Sequence, residues 1–379
     1  ARVSERLMAL TLDSRIAEHS SIREIKRLKK QAAEFRDMAH KYKRQFGRAE
    51  REQRKALFAE AHKIMKDVGR MEQYITDDIL VHTQVVAATL VGATHYTVRH
   101  LQYDAVVIDE AGQAIEPACW IPILKAPKVI LAGDHCQLPP TIKSDEAARR
   151  GLTTTLMEKC TLLYPQWVSM LQVQYRMHEA IMGYSSRMFY GSALQAHHSV
   201  AGHTLPAAAT PLMFIDTAGC GFEEREDGTS ISNPEEAVLL YRHLAATLAE
   251  LHPHVPAGKH PTVAIIAPYR QQLQVLQEQL LHVPDLQPWL PYIAVNTIDS
   301  FQGQERDIVY ISMTRSNSDS IIGFLSDIRR MNVAMTRARK KLVVIGDSAT
   351  LSVHPFYDGF ISWVQEQGGW QSAWEVGWE

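Results

Sequence analysis

Two acidic residues at the end of an apolar run are the side chains of this sequence best suited to chemistry. Asp109 and Glu110 follow Ala105-Val106-Val107-Ile108. At the end of a buried strand, one such carboxylate can hold Mg²⁺ while the other polarises a water molecule. A phosphate loop does not accompany them, because the Gly258-Lys259 step lacks the upstream glycine and is followed by His260. The pair is therefore either half of a nucleotide site or serves another purpose.

An amide side chain follows the next apolar strand. Gln137 lies in Gly133-Asp134-His135-Cys136-Gln137-Leu138-Pro139-Pro140, which places it on a rigid loop beside the acidic pair. A glutamine can hydrogen-bond both a terminal phosphate and an attacking water without adding charge. Standing alone, Gln137 would be an ordinary turn residue.

Three later segments add cations and a second polar loop. Arg176 lies in Gln174-Tyr175-Arg176-Met177-His178, and Arg337 lies in Asn332-Val333-Ala334-Met335-Thr336-Arg337-Ala338-Arg339. Arginines supplied from a facing domain can stabilise the charge of phosphoryl transfer, although a lone arginine is more often a surface ion pair. The segment 297–305 offers Gly303 for close approach, or as a plain turn glycine, and carboxylates able to hold ribose hydroxyls. Each segment is weak alone, but their order is specific.

Short, continuous apolar runs must position these residues. Because they are separated by amphipathic stretches such as 234–251 and 271–281, they predict parallel strands covered by helices on both faces, an α/β fold. Ligands of such sheets bind beyond the carboxyl ends of the strands. The predicted strands are 85–89, 105–109, 129–133, 212–216, 263–268, 293–297, 308–313 and 342–346.

A basic helical hairpin is predicted ahead of the strands, at about 16–80. Two apolar stripes with steps of three and four residues run from Ile25 to Phe46 and from Leu57 to Ile75; Ser21 with Glu24 would form a capping box. Residues 21–70 carry 16 Lys and Arg against 7 Asp and Glu, whereas the whole chain has a net charge of −2. This hairpin is equally compatible with a solvated surface and with a nucleic-acid contact.

Composition limits the remaining possibilities. The 379 residues, 46% hydrophobic and 22% charged, predict two globular domains, with a boundary near residue 168 that gives 1–168 and 169–379. The four dispersed cysteines indicate a reducing, intracellular location, cytoplasmic or nuclear. No apolar run reaches the length of a membrane span. The first residues read as an internal start, so we expect a fragment of a longer protein. Trp370, Trp374 and Trp378 would share one face of a terminal helix.

The ordered motifs resemble motifs II to VI of superfamily 1 helicases, in the branch of the nonsense-mediated-decay helicase and immunoglobulin mu-binding protein 2. The resemblance begins at Asp109-Glu110-Ala111-Gly112-Gln113-Ala114 and covers nearly the whole chain. It implies two RecA-like domains with parallel sheets and a P-loop NTPase fold. The first domain would be truncated at its amino terminus and would carry the hairpin as an insertion. Gly112 and Cys136 depart from the relatives at positions that supply no proposed chemistry.

The resemblance also implies roles for single residues toward ATP and Mg²⁺. Asp109 would bind the metal, Glu110 would be the general base, Gln137 would sense the γ-phosphate, and Arg176 and Arg337 would be arginine fingers. Tyr175 would stack on adenine, and Gly303 and Glu305 would complete the nucleotide site. The positions resembling contacts to single-stranded DNA or RNA are Thr89, Gly92, Pro139, Tyr269, Thr297 and Arg315.

The implied function is that of the carboxyl-terminal part of an ATP-dependent helicase. It would move 5′ to 3′ on single-stranded nucleic acid and unwind DNA or RNA duplexes. Without a phosphate loop, ATP would lose its β- and γ-phosphate cradle, so we expect the chain by itself to be inactive. The alternative is a binding module that grips single strands without hydrolysis.

Overall fold

The computed structural model describes residues 5–41, 47–206, 210–228, 230–256, 258–301 and 303–377. The chain divides into two compact units, residues 1–104 with 124–126 and residues 105–123 with 127–379. The predicted α/β class is confirmed. The domain boundary predicted near residue 168 lies inside the second unit and stays a prediction.

The first unit contains the predicted helical hairpin, which is confirmed. Lys29 in the first half of α3 (Ile22–His40) forms an ion pair of 2.6 Å with Glu72 in the second half of α4 (Arg48–Val81), so the two helices run antiparallel. Ile25, Val68 and Ile75 belong to their shared apolar core. The stripe residues Tyr42 and Phe46 fall outside the described residues. The helices are α1 (Glu5–Met8), α2 (Leu12–Glu18), α3 (Ile22–His40) and α4 (Arg48–Val81), and a 3₁₀ turn follows at Val91–Thr94.

Two local predictions for this unit are wrong. Ser21 makes no side-chain capping bond, because its backbone is already helical where the short α2 leads into α3. A true capping box occurs at Thr155, whose side chain accepts from the Glu158 amide while Glu158 accepts from the Thr155 amide. Residues 85–89 form no strand: Val85 is 82% exposed, and the described residues give this segment no pairing strand. Apolarity without a hydrogen-bonded neighbour does not make a strand.

The second unit begins with a small parallel sheet. Strand β1 (Val106–Ile108) pairs with β2 (Val129–Leu131), and Val107, Val129 and Ile130 keep between 43% and 63% of their surface exposed. This sheet presents its carboxyl ends, and the loops that follow them, to the predicted site. The helices that accompany it are α5 (Glu116–Ile123), α6 (Asp145–Ala147) and α7 (Leu156–Leu163).

A larger parallel sheet of six strands follows, in the order β12-β5-β11-β10-β8-β9. Successive residues of β10 serve opposite faces: Val309 and Ile311 belong to one apolar core, Ile308 and Tyr310 to the other. Both faces are therefore covered, as the continuous apolar runs predicted. The strands of this sheet are β5 (Leu212–Asp216), β8 (Val263–Ile266), β9 (Ile293–Asn296), β10 (Arg306–Ser312), β11 (Ala338–Gly346) and β12 (Trp370–Ser372).

The helices on the two faces follow from their apolar stripes. Helix α10 buries Leu240, Leu244 and Leu248 in one core, and α14 buries Phe356 and Phe360 in the other. The helices of this region are α8 (Glu179–Phe189), α9 (His198–Ala201), α10 (Pro234–Leu251), α11 (Arg270–Leu280), α12 (Ile328–Met335), α13 (Ser348–Leu351) and α14 (Pro355–Glu366).

Some connecting segments carry more structure than the sequence predicted. β3 (Val173–Gln174) pairs with β4 (Gln195–Ala196), and β6 (Arg225–Asp227) forms a hairpin with β7 (Ser230–Ser232). The prediction that the terminal tryptophans share one helical face is wrong, because Trp370 lies in β12 and Trp374 in a turn. Trp378 lies outside the described residues. Among the described helices, none is both long and apolar enough to cross a bilayer.

Candidate active site

The acidic pair lies in the turn that ends β1. Glu110 has a left-handed backbone, with φ of 52° and ψ of 39°, a conformation that costs free energy for any residue with a Cβ. Asp109 accepts the Glu110 amide at 3.0 Å through Oδ1, and Gln113 donates to Glu110 Oε2 at 2.7 Å. Both acidic side chains are exposed. The turn thus fixes two carboxylates facing solvent at the end of a strand, which suits a hard cation such as Mg²⁺.

Two glycines let the loop after β2 pack directly on this turn. A Cβ on Gly112 would come within 2.6 Å of the Asp134 carbonyl oxygen, and a Cβ on Gly133 within 2.8 Å of the Ala111 nitrogen. Gly133 also has a φ of 155°. Gly112, where the sequence differs from the resembled motif, is therefore needed because its backbone lies so close to the Asp134 carbonyl that a side chain would not fit.

Gln137 is held by the carboxylate three residues before it. Its Nε2 donates to Asp134 Oδ2 at 2.8 Å, while Asp134 Oδ1 accepts the Cys136 amide at 2.9 Å. The Tyr190 hydroxyl donates to the same Oδ2 at 2.6 Å, and Asn332 Nδ2 lies 3.1 Å from the Tyr190 oxygen. The loop after β2 is thereby joined to the end of α8 and to α12.

The two arginines meet at the amino ends of β10 and β11. Arg176 donates to Glu305 at 2.8 Å and to the Thr336 carbonyl at 3.2 Å. Arg337 lies close to this pair, because the backbone amide of Arg306, the residue after Glu305, donates to the Arg337 carbonyl at 3.0 Å. Sequence reasoning expected the ligand at the carboxyl ends of strands; the structure places these cations at amino ends of the larger sheet.

Arg337 is a buried cation with neutral hydrogen-bond acceptors. Only 3% of it is exposed, and it donates to the carbonyls of Val333 at 2.9 Å and Gln304 at 3.4 Å and to the Thr336 hydroxyl at 3.2 Å. No ion pair to Arg337 occurs among the described residues. Burying a charge without a directly paired counter-charge is costly, so an anion bound beside Arg337 would be stabilised.

Burial lowers the pKa of Arg337 to about 10, and the neighbouring Arg176 adds to the shift. The carboxylates of Glu110 and Glu305 oppose it. Arg337 therefore stays charged at neutral pH, and the carboxylate of Glu110 and the guanidiniums of Arg176 and Arg337 share one electrostatic region.

The other predicted nucleotide residues are more exposed. Tyr175 is 64% exposed and stacks on His197, with ring centroids 4.3 Å apart and planes at 30°. Gly303 has a φ of 73° and lies at the surface, and Glu305 also contacts Arg339 at 3.6 Å. The structure thus brings Arg176, Arg337 and Glu305 together.

Three of the predicted strand-contacting residues share one edge of the larger sheet. Tyr269, Thr297 and Arg315 follow β8, β9 and β10, which are neighbours, so they gather at the carboxyl edge. Tyr269 and Arg315 are buried, at 4% and 5% exposure, and Arg315 pairs with Glu224 at 3.1 Å. Thr297 contacts the Ser300 hydroxyl at 3.1 Å.

The remaining strand positions lie apart from that edge in the chain. Thr89 and Gly92 belong to the first unit, where Thr89 Oγ1 accepts the Gly92 amide at 3.0 Å. Pro139 lies half-buried in the loop after β2. Nothing in these contacts tests the assignment of the six positions, which stays a prediction.

The residues fit Mg²⁺ and ATP in part. Two exposed carboxylates and a buried arginine with neutral partners suit a metal-bound polyphosphate, whereas the chain contributes no phosphate loop. Within the described residues, one other trio could reach a metal, Asp134, His135 and Cys136. Asp134 is already bonded, and burial raises the pKa of the Cys136 thiol to about 11, which disfavours the thiolate that a metal needs.

Sequence reasoning missed Asp134, Tyr190 and Asn332 as site residues. Asp134 and Asn332 stood inside quoted motifs without a role. Tyr190 lies in no motif, and its contacts span 56 and 142 residues along the chain. No local pattern signals such a contact.

Comparisons with known proteins show which family the chain belongs to. Models of the AAA domain match residues 2–145 and 152–349. Over 82% of its length the chain is 41% identical to the DNA-binding protein SMUBP-2 of Mesocricetus auratus, of which the match covers 32%. It is 35% identical over 80% of its length to an uncharacterised ATP-dependent helicase of Methanocaldococcus jannaschii, of which it covers 45%.

A third relative is the regulator of nonsense transcripts 1 homolog of Arabidopsis thaliana, 35% identical over 76% of the chain and covered to 23%. The chain therefore spans about a third of the length of the SMUBP-2 relatives that it matches.

Proposed function

The chain belongs to the AAA-domain helicases of superfamily 1, in the branch of SMUBP-2 and the nonsense-mediated-decay helicase, and we propose that the full-length protein is an ATP-dependent helicase. In this proposal it moves 5′ to 3′ along single-stranded nucleic acid and unwinds DNA or RNA duplexes. The α/β architecture corresponds to two RecA-like domains. The buried Arg337, whose hydrogen bonds all go to neutral oxygens among the described residues, is the observation that most supports phosphate chemistry at this site.

The proposed reaction is attack of water on the γ-phosphorus of ATP. Mg²⁺ bound to Asp109 would neutralise the phosphate oxygens. Glu110 takes a proton from the water as the water oxygen bonds to the γ-phosphorus. The bond between the γ-phosphorus and the bridging oxygen breaks, and that oxygen leaves with ADP. The exposed position of Glu110 at a strand end supports this role, because a general base must reach a water molecule.

The other residues orient and stabilise. Gln137 positions the water and senses the γ-phosphate. Arg176 and Arg337 stabilise the negative charge that spreads over the equatorial oxygens. Tyr175 stacks on adenine, and Gly303 and Glu305 border the nucleotide.

We assign nucleic-acid contact to Thr89, Gly92, Pro139, Tyr269, Thr297 and Arg315. The gathering of three of them at one sheet edge supports the assignment. Tyr269 and Arg315 are buried and packed on one another, with the guanidinium 6.0 Å from the ring centroid, so their contact with a strand requires this edge to open.

The decisive substitution is Glu110→Gln in the full-length protein. It keeps the shape of the side chain and removes the base, so we expect nucleic-acid-stimulated kcat to fall by about 10²- to 10⁴-fold. Affinity for a fluorescent ATP analogue stays within about twofold of wild type, because binding does not need the proton acceptor.

Glu146→Gln is the matched control, since Glu146 is exposed and its one ion pair among the described residues is with Arg150, at 2.6 Å. Its turnover should equal that of wild type. Unchanged turnover in Glu110→Gln would contradict the proposed role of Glu110. Single-strand binding by a wild-type protein that never hydrolyses ATP would indicate the non-hydrolysing binding module instead.

A further inference from the structure

A chain of hydrogen bonds joins the loop that carries Gln137 to the helix before Arg337. Tyr190, the residue that ends α8, donates to Asp134 Oδ2 at 2.6 Å. Asn332 of α12 donates through Nδ2 to the Tyr190 oxygen at 3.1 Å and to the Cys136 carbonyl at 3.0 Å. Tyr190 thus joins the side chain of Asp134 to α12, while the Asn332–Cys136 bond joins α12 directly to the backbone of the same loop.

At one end of this chain, Asp134 determines how the Gln137 amide is turned. The Asp134 carboxylate can only accept, so the Gln137 group that lies 2.8 Å from Oδ2 is its NH₂. The carbonyl oxygen of Gln137 therefore remains available to accept a hydrogen bond from the attacking water. Tyr190 and Gln137 share the same Asp134 oxygen, so a movement of the tyrosine hydroxyl changes the acceptor that orients Gln137.

At the other end, Asn332 is tied to Arg337 within one helical turn. The Thr336 hydroxyl donates to the Asn332 carbonyl at 2.8 Å, and Arg337 donates to that hydroxyl at 3.2 Å. Asn332 is fully buried. A small shift of the guanidinium on binding phosphate therefore has a path to the Asn332 backbone through the Thr336 hydroxyl, because close-packed interiors transmit small shifts.

The direction of the central hydrogen bond is fixed. Burial raises the pKa of Tyr190, and the neighbouring Asp134 carboxylate raises it further. The phenol keeps its proton at any pH at which the protein works, so it donates to Asp134 and accepts from Asn332.

The link also contains an unsatisfied atom. Asn332 Oδ1 is buried, and the described residues offer it no hydrogen-bond partner. A buried acceptor in that state is unfavourable, so any shift of α12 that brought a donor to Oδ1 would be favoured by the bond it formed. This is the property expected of an element that changes position between two states of a site.

We propose that Tyr190 is a positioning residue that couples Arg337 to Gln137. When the arginine engages the γ-phosphate, Asn332 moves with it, and Tyr190 passes the movement to Asp134, which aligns the Gln137 carbonyl with the attacking water. The inference rests on the proposed ATP hydrolysis and adds to it the contact through which one side of the site is sensed by the other.

The test is Tyr190→Phe in the full-length protein. The substitution removes one hydroxyl and keeps the ring, so nucleic-acid-stimulated kcat should fall about tenfold, the effect of one well-placed hydrogen bond in the transition state. KM for ATP and affinity for a fluorescent ATP analogue should stay within about twofold, because Tyr190 does not touch the nucleotide.

Tyr184→Phe is the matched control. Tyr184 lies on the same helix, is fully buried, and donates to the Phe356 carbonyl away from the site. It loses the same donor and a comparable amount of thermal stability, and its stimulated kcat should remain that of wild type. Equal kcat in Tyr190→Phe and Tyr184→Phe would overturn the proposal and leave the proposed hydrolysis intact.

A double substitution separates positioning from general structural damage. In a Gln137→Ala background Tyr190 has nothing left to orient, so adding Tyr190→Phe should lower the remaining single-turnover rate by less than about twofold. A full tenfold loss in that background contradicts the coupling. A wild-type protein without any stimulated hydrolysis would overturn this inference together with the proposed function.

Discussion

At the scale of single residues, Arg337 has the most constrained environment of the site. Its guanidinium is buried against carbonyl and hydroxyl oxygens, so the protein holds a positive charge in place before any phosphate arrives. Preorganisation of this kind is effective because the cost of desolvating the charge has been met by folding.

We therefore expect Arg337→Ala to lower stimulated kcat by about 10³- to 10⁵-fold in the full-length protein. Steady-state ATPase assays measure the loss. Arg187→Ala is the control, since Arg187 is an exposed residue of α8, and it should change kcat by less than about twofold. A loss below about tenfold in Arg337→Ala would show that the buried cation only supports the fold.

Glu236 makes stability depend on pH. It is fully buried at the start of α10, where it accepts from the Ser312 hydroxyl at 2.5 Å and the Thr314 amide at 3.0 Å. Burial raises its pKa to about 8 from the ordinary value of 4.5, against the opposing hydrogen bonds. Since the folded state holds this proton more tightly than the unfolded state, stability declines as pH rises from about 4.5 through about 8.

Glu236→Gln replaces this titratable carboxyl group by an amide, so the stability of the variant should decline less than that of wild type over the same pH interval. Thermal unfolding from pH 5 to pH 8.5 measures the difference. Glu250→Gln, an exposed position on the same helix, should follow the wild-type curve. Parallel curves for wild type and Glu236→Gln would show that the carboxyl group is already ionised in the folded state.

At the scale of elements, α4 is the better candidate for a nucleic-acid contact in the hairpin. Arg51, Lys55, Lys63 and Lys66 are exposed, and no ion pair to them occurs among the described residues. Their spacing places them along the solvent face of one helix. The outward face of α3 is interrupted by Glu34 and Asp37, which reduces its attraction for phosphates.

Replacing Lys55 and Lys66 by glutamate should weaken single-strand binding and lower the slope of log affinity against log salt by about 1.4, or 0.7 for each lost phosphate contact. Fluorescence anisotropy over a salt series measures both. Replacing Lys26 and Lys30 of α3 by glutamate changes the net charge equally and should alter the slope less. Identical slopes for the two variants would show that the change in salt dependence comes from net charge and not from a contact made by α4.

Elements were predictable where one periodicity dominates. The apolar stripe of 234–251 marks helix α10 to the residue, and continuous apolar runs mark the strands of the larger sheet, because burial on two faces leaves no room for polar residues. Residues 85–89 failed for a physical reason, since pairing depends on a neighbour that local sequence does not encode.

The site was predictable in the same measure. The turn of Asp109 and Glu110 follows from local order, and the meeting of Arg176 with Glu305 was expected only through the motif resemblance. The partners of Gln137 were not foreseen. Tyr190 reaches Asp134 and Asn332 through tertiary contacts, and one tyrosine outside every motif has no distinguishing pattern.

At the scale of the whole molecule, the proposed activity is directional. We expect the full-length protein to unwind a duplex with a 5′ single-stranded tail and to leave one with a 3′ tail paired, in the presence of ATP and Mg²⁺. Strand-displacement assays on matched DNA and RNA duplexes also compare the two nucleic acids, which contacts to phosphates and stacked bases do not distinguish. Arg337→Ala should unwind neither substrate. Unwinding from the 3′ tail would reverse the proposed polarity.

The left-handed backbone of Glu110 sets the proposed hydrolysis against resistance to heat. A glycine at this position would relieve a conformational cost on the order of 1 kcal/mol, yet it would also delete the proposed base. A laboratory screen of random variants for survival of heating, with no selection for turnover, is therefore expected to enrich Glu110→Gly. Thermostable descendants of this chain would have to be screened for ATPase activity in the same round, because this improvement in melting temperature lies at the proposed general base.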